Sequence, residues 1–326
     1  MMEKIICGDA IDCLRDLDAG SVDMCVTSPP YYGLRCYGAD GQIGLEETPE
    51  LYISRLIETF REARRVLRDD GTLWVVIGDS YAGGGKGAWS NKDSQKEVYV
   101  PDSGSAQSRM RKTWDGIKPK DLIGIPWMLA FALRADGWFL RNDIIWEKPN
   151  SMPSSVKDRC TVSHEYIFML SKSSKYYFDY EAIKEPCVSG DLTSPRGSLG
   201  AFSLHSGRRG SGNKERKQRP SSEVVRKGAQ AGSVPWEYTT TRNRRSVWTV
   251  PTKPLKDSHF ATFPPNLIRP CILAGSRCGG VVLDPFFGAG TTGLVAMQEQ
   301  RGYIGIDINS EYVELARERL RVCRAR

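Results

Sequence analysis

The stretch VVLDPFFGAGTTGLVAMQEQRGYIGIDIN (281–309) decides the fold. An apolar run, VVLDPF, reads as a strand that stops in a cluster of glycines, Gly288, Gly290 and Gly293. LVAMQEQRG (294–302) then reads as a helix, and a second strand, YIGIDI (303–308), carries Asp307 at its end. Strand, tight turn, helix, strand is the repeating unit of a parallel sheet. SEYVELARERLR (310–321) follows with helical spacing.

The same grammar extends through the rest of the chain. KIICGDAIDCL (4–14) reads as a short strand closing on Gly8-Asp9 and then a helix, and VDMCVT (22–27) as a strand. A helix follows, with Thr48 as N-cap, Pro49 in the first turn, apolar residues at Tyr52, Leu56, Phe60, Ala63 and Leu67, and Gly71 as the stop. LWVVIGD (73–79) is a strand ending at Gly78-Asp79, IPWMLAFALRADG (125–137) a helix, and FLRNDIIW (139–146) and HEYIFML (164–170) strands, with KYYFDY (175–180) close behind. FPPNLIRPCILAGS (263–276) is again a helix. The expectation is an α/β, doubly wound, mostly parallel sheet. Ligands in such sheets sit at the carboxyl ends of the strands. That places Asp9, the Ser28-Pro29-Pro30 turn, Asp79, Asp284 and Asp307 along one rim.

The chain has 326 residues, 40% hydrophobic and 26% charged, and a net charge of +7. That is the composition of an ordinary globular protein with a sizeable core. No run is long enough to cross a membrane and the first residues carry no signal peptide, so the cytoplasm is the expected location. Nine cysteines without a CxxC pair, and three histidines, speak against a zinc site and for reduced thiols. The charge is uneven. Residues 189–246 hold twelve Lys or Arg against four Asp or Glu, while the remainder is close to neutral. Such a segment is either a solvated loop or a surface for a polyanion. Residues 82–118 form a second Gly-, Ser- and Lys-rich stretch.

The glycine turn has the context of a nucleotide-binding motif, between a strand and a helix. Asp307 can accept hydrogen bonds from two ribose hydroxyls. The turn alone leaves NAD and S-adenosylmethionine open. Asp284 favours the latter, because an acid there would sit poorly against a pyrophosphate but could face an ammonium. A methionine carboxylate would then take the helix start at Thr291 and Thr292.

TSPPYY (27–32) separates the two. Its prolines forbid helix and sheet pairing just where a buried strand ends, and two exposed-looking tyrosines follow. Together with DPFFGAGTT (284–292), this motif resembles those of the DNA amino-methyltransferases, which modify an exocyclic amine of adenine or cytosine. CGDA (7–10), GTLWVVIGD (71–79), IIWEKPN (144–150), HEYIFMLSKS (164–173), FPPNLIRPCILAGS and YIGIDIN (303–309) support the resemblance. The motif order matches a permuted group, with the catalytic turn before the cofactor turn and target recognition between them. The implied organisation is a catalytic part at 1–185 with a loop insertion at 82–118, a basic target-recognition region at 186–250, and a cofactor-binding part at 251–326. The resemblance implies a sheet of the seven-stranded methyltransferase type, S-adenosylmethionine as cofactor, double-stranded DNA as partner and a cognate restriction endonuclease as a functional partner.

The chemistry suits those residues. An exocyclic amine is a poor nucleophile because its lone pair is delocalised into the ring. The Ser28 hydroxyl and the Pro29 carbonyl can accept both amine protons and free the lone pair, and proline rigidity fixes these acceptors in advance. Pro30 stiffens the same corner, and Tyr31 can stack on a base flipped out of the duplex. In the family, Ser before Pro-Pro-Tyr goes mostly with cytosine-N4 and Asp or Asn mostly with adenine-N6, so Ser28 favours N4-methylcytosine. Carbon-5 methylation needs a cysteine nucleophile, and neither Pro186-Cys187 nor Pro270-Cys271 has a fitting context. A catalytically silent nucleic-acid-binding module is the competing reading.

By resemblance, Asp9 contacts the cofactor adenine, Asp307 its ribose, and Phe263 and Phe286 its pocket. Trp146 and Lys148 lie in a motif kept near the flipped base, although Trp146 suits plain core packing equally and Asp9 suits a helix cap. The basic region supplies phosphate contacts through Arg208, Arg209, Arg242, Arg244 and Arg245, while Trp236, Tyr238 and Trp248 touch bases or pack. His164 and Glu165 are expected to be structural.

Overall fold

The computed structural model describes residues 2–33, 41–82, 116–187, 241–252 and 263–324. In chain order these form β1 (Glu3–Cys7), α1 (Ala10–Arg15), β2 (Val22–Thr27), α2 (Pro49–Val66), β3 (Leu67–Ile77), α3 (Ile125–Ala135), β4 (Phe139–Glu147) and β5 (His164–Ser171). After them come β6 (Glu185–Pro186), β7 (Thr241–Arg242), β8 (Val247–Thr249), α4 (Pro265–Gly275), β9 (Val281–Asp284), α5 (Thr291–Gln298), β10 (Gly302–Asp307) and α6 (Ser310–Arg324).

Among the described residues, eight strands make one sheet in the order β1-β10-β9-β2-β3-β5-β4-β8. β1, β10, β9, β2 and β3 run parallel, whereas β5 is antiparallel to both β3 and β4. Strand alternation divides the core between the two faces of the sheet. Cys25, Leu73, Val75, Phe168 and Leu170 join α1, α2 and α3 on one face. Met24, Val26, Trp74, Val76, Ile167 and Met169 join α4, α5 and α6 on the other. A sheet buried on both faces is the doubly wound arrangement that the sequence implies.

Three local expectations are corrected. The expected seven-stranded sheet gains an eighth strand, because Val247–Thr249 pairs with Ile145–Glu147. Ser246–Val250 thus belongs with the sheet and not with the basic insert. The second compact unit is Lys184–Arg244, whose described part holds the antiparallel pair β6 and β7. Next, α2 stops at Val66 and not at Gly71. Leu67 is fully buried and pairs with Val22, so the chain is drawn straight into β3. The register then jumps from Val22↔Leu67 to Met24↔Thr72, and Gly71 lies in the resulting bulge. Finally, KYYFDY makes no strand: Tyr177 donates its N–H to the Asp70 carbonyl and Asp179 to that of Ala274.

Candidate active site

The parallel strands deliver Asp9, Ser28, Asp79, Asp284 and Asp307 to one rim, immediately at or after the ends of β1, β2, β3, β9 and β10. β5 runs the other way, so its first residues, His164 and Glu165, come to the same rim beside Trp146 and Glu147.

At the end of β2 the corner is braced from several sides. Thr27 Oγ1 donates to Asp284 Oδ1 at 2.6 Å. Tyr52 Oη donates to the Pro30 carbonyl at 2.8 Å. Gly33 N–H donates to the Gly44 carbonyl at 2.7 Å, and Gly44 itself has φ +104° and lies against the Tyr31 carbonyl, where a Cβ would be 3.2 Å away. Pro29 is buried, while Ser28 and Pro30 are half-buried. The two tyrosines are not the exposed pair expected from the sequence. Tyr32 is 4% exposed and packs on Tyr52 with ring centroids 5.4 Å apart. Tyr31 is half-buried, and its phenol donates to Glu165 Oε2 at 2.6 Å. Burial first, then the neighbouring Glu165 carboxylate, raises the Tyr31 phenol well above its ordinary range, so it stays a proton donor.

The glycine turn sorts its own residues. Gly288 has φ +50°, and a Cβ there would meet nothing within 4 Å, so the turn faces open space. Gly290 and Gly293 have a different reason. A Cβ on Gly290 would lie 3.0 Å from Ala316 Cβ, and one on Gly293 2.8 Å from Phe287 Cζ. Phe287, which is 3% exposed, is the peg around which the turn closes. Phe286, the residue expected beside a cofactor, is partly buried against the other core. Asp307 accepts the Gly288 N–H at 2.7 Å on Oδ2 and the Asn309 N–H at 2.9 Å on Oδ1. It therefore sets the turn, with lone pairs remaining on each oxygen. Burial raises the pKa of this carboxyl.

Asp284 joins the corner to the turn. Besides Thr27, it accepts the Thr292 hydroxyl on Oδ2 at 2.5 Å and the Phe286 N–H on Oδ1 at 3.1 Å. At 1% exposure both oxygens are engaged by the protein, and the side chain acts here as a clasp between β2, the turn and α5. The expected ammonium partner finds no exposed Asp284 oxygen in this arrangement. Burial pushes the carboxyl up to about 6. The native state therefore holds this proton more tightly than the unfolded chain, whose carboxyl titrates near 3.8. The associated stability is fully present below pH 3.8 and is lost as pH rises through 6. Relative to Asp284→Asn, the wild-type protein is expected to lose about 3 kcal/mol across that window, read from urea unfolding at a series of pH values. Parallel curves for the two proteins would contradict the shift.

Thr291 and Thr292 are also buried. Thr291 Oγ1 accepts from Arg319 Nη1 at 3.0 Å, and the same guanidinium nitrogen holds the Ala289 carbonyl at 2.8 Å. A lone arginine in an amphipathic helix carries no signal in the sequence, so the role of Arg319 is visible only in the fold. The first turn of α5 has no side-chain cap, since Gly290 is its N-cap. Uncapped amides there can receive a carboxylate. With the open face of Gly288 and the spare lone pairs of Asp307, the rim fits a nucleoside that carries an amino-acid tail.

Other candidate residues are engaged within the protein itself. Asp9 caps α1, accepting the N–H groups of Ile11 at 2.8 Å and Asp12 at 3.2 Å on Oδ1, while Oδ2 lies 4.0 Å from Arg55. Asp79 likewise accepts the N–H groups of Ser80, Gly124 and Ile125 on a single oxygen, and burial raises its pKa. Phe263 packs partly buried against the core beside α4. Trp146 is 4% exposed and donates to the Val250 carbonyl at 2.7 Å, so it is core and presents no face to a base. The Lys148 ammonium is ion-paired with Glu165 and lies 4.2 Å from the centre of the Trp146 ring, not reaching out to phosphate. Trp248 is packed, not displayed. Arg242 pairs with Glu185 at 2.9 Å, and Arg245 is exposed while Arg244 is half-buried. Arg208, Arg209, Trp236, Tyr238 and most of 82–118 lie outside the described residues.

Comparison with known proteins bears on this rim. A family model described as DNA methylase, N6_N4_Mtase, matches residues 22–318. The chain is 49% identical over 316 residues to the type II methyltransferase M.Cfr9I of Citrobacter freundii, covering 96% of this chain and 86% of that protein. It is 48% identical over 317 residues to M.SmaI of Serratia marcescens, covering 97% and 90%. Among solved structures, the PvuII DNA methyltransferase (cytosine-N4-specific) superposes with a TM-score of 0.63 at 17% identity, over 98% of this chain and 86% of that one. A DNA modification methylase of Thermus thermophilus, complexed with S-adenosyl-L-methionine, gives 0.57 at 22% identity, over 98% and 94%. At these identities the two structures speak for the fold.

Proposed function

Because the chain belongs to the N6/N4 DNA methylase family, we propose that this DNA methyltransferase acts on the exocyclic N4 amine of cytosine. Its methyl donor is S-adenosylmethionine, which supplies an electrophilic methyl group when bound. The observation that carries the reading is Ser28: a hydroxyl on a proline-fixed corner, one residue from the Thr27–Asp284 hydrogen bond that ties the corner to the glycine turn. The solved PvuII enzyme of like fold is itself cytosine-N4-specific.

Each part of the rim has a task in this reading. Gly288, the uncapped start of α5 and Asp307 hold the cofactor, with Phe286 and Phe263 toward its pocket and Asp9 toward its adenine. Ser28 Oγ and the Pro29 carbonyl accept the amine protons and so expose the nitrogen lone pair. Tyr31 stacks on the base, and stacking worth roughly 1–3 kcal/mol offsets much of the cost of flipping. Arg244, Arg245 and the basic stretch with Arg208 and Arg209 follow phosphates. A partner nuclease in a restriction-modification pair and a cytoplasmic location complete the proposal. No described helix is long and apolar enough to cross a membrane.

The base is decided by digesting methylated duplex DNA to nucleosides and identifying the product by mass and retention against standards. N4-methyldeoxycytidine is expected. N6-methyldeoxyadenosine would transfer the reading to adenine, and the absence of both, with no binding of labelled S-adenosylmethionine, would leave a silent DNA-binding module.

A further inference from the structure

Glu165 was expected to be merely structural, yet it sits at the centre of a chain of contacts that ends on Tyr31. Its Oε2 accepts the Tyr31 phenol at 2.6 Å, and its Oε1 pairs with the Lys148 ammonium. Lys148 in turn rests on the Trp146 ring, which the Val250 carbonyl fixes at 2.7 Å. The β4–β5 ladder sets Glu165 directly opposite Trp146. Gly78, at the end of β3, makes room for the assembly. A Cβ there would fall 2.9 Å from Tyr31 Cε2 and 3.3 Å from Glu165 Cδ.

We infer that Glu165, held by Lys148, is a positioning residue that fixes the Tyr31 ring at its hydroxyl end, so that the ring stands ready to receive a flipped base. The inference rests on the reading above in which Tyr31 stacks on that base. A tyrosine anchored only at Cβ samples its χ rotamers and loses that freedom on stacking. One anchored at both ends has already lost it, and the gain appears in the step that captures the base. A carboxylate with two oxygens can serve the phenol and the ammonium at once, which explains why an acid stands here.

The test uses the full-length enzyme with two duplexes, one bearing 2-aminopurine at the target position for the flipping readout and one unmodified for methyl transfer. Base-flipping fluorescence, single-turnover methyl transfer and S-adenosylmethionine affinity are measured for Tyr31→Ala, Tyr31→Phe, Glu165→Ala, Glu165→Gln and the double variant Tyr31→Phe/Glu165→Ala. Losing a hydrogen bond to a charged group predicts a loss of about 10-fold in flipping and turnover for Tyr31→Phe and for Glu165→Ala, with cofactor affinity retained. The double variant is expected to be no worse than either single one, because both remove the same bond. Glu165→Gln recovers most of the loss, since its amide still bonds the phenol. Tyr31→Phe removes the phenol's bond to Glu165, together with its contact with the Ser28 hydroxyl, without disturbing the Lys148 pair, which covers a folding failure of Glu165→Ala. Additive losses, or wild-type flipping in Tyr31→Phe beside a defective Tyr31→Ala, would overturn the role of Glu165 alone. A fully active Tyr31→Ala would bring down the stacking reading as well.

Discussion

Ser28→Ala is expected to lower methyl transfer by about 10²–10³-fold in kcat, the cost of losing one preorganised hydrogen-bond partner at a reacting centre. The reason is local. The Ser28 hydroxyl touches the Tyr31 phenol, but the corner is braced by other groups: Tyr52 holds the Pro30 carbonyl, Gly44 closes on the Tyr31 carbonyl, and Thr27 is clasped by Asp284. Alanine therefore removes an acceptor and one contact of the Tyr31 phenol, which keeps its bond to Glu165, and leaves the rest of the scaffold. S-adenosylmethionine binding, followed by calorimetry, should change less than about 2-fold, because the glycine turn proposed to hold it is linked to Thr27 and not to Ser28. DNA affinity should also persist, since it rests mainly on phosphate contacts. A single-turnover rate equal to the wild type would remove Ser28 from the chemistry and, with it, the argument for cytosine.

The second large effect lies at the glycine turn. Gly305→Ala places a Cβ 2.3 Å from Phe287 Cγ, inside van der Waals contact with the ring. Phe287 has no space into which to retreat. Gly293 closes on its Cζ, and Tyr303 stacks on it with centroids 5.8 Å apart. Gly305 is on β10, paired on both sides by β1 and β9, so the backbone cannot yield either. Overpacking of this kind costs about 3 kcal/mol, measurable by urea unfolding. The Phe287 backbone also accepts the Gly290 N–H at 3.0 Å and donates to the Ile306 carbonyl at 2.8 Å. Moving the ring thus drags the turn, and cofactor affinity should fall with stability. Gly288→Ala is the contrast: open space and φ +50° limit its cost to about 1–2 kcal/mol of backbone strain. Equal costs for the two would refute the division of the turn into a peg side and an open side.

Taken alone, the residues from 281 to 309 determined the doubly wound fold, because strand and helix periods and glycine positions are local properties. TSPPYY and DPFFGAGTT likewise marked the two halves of the candidate site proposed here, since proline and glycine impose their geometry wherever they stand. The rest depended on partners far away in the chain. Thr27 and Asp284 are 257 residues apart, and Tyr31 and Glu165 134. Whether Trp146 meets solvent or Val250, whether Tyr32 is displayed or packed on Tyr52, and whether α2 runs on to Gly71 or yields to β3 at Leu67 were decided by what the sheet brought beside them. Side-chain type limits the bonds a residue can make, but burial and pairing are properties of the assembled neighbourhood, and no local window contains them.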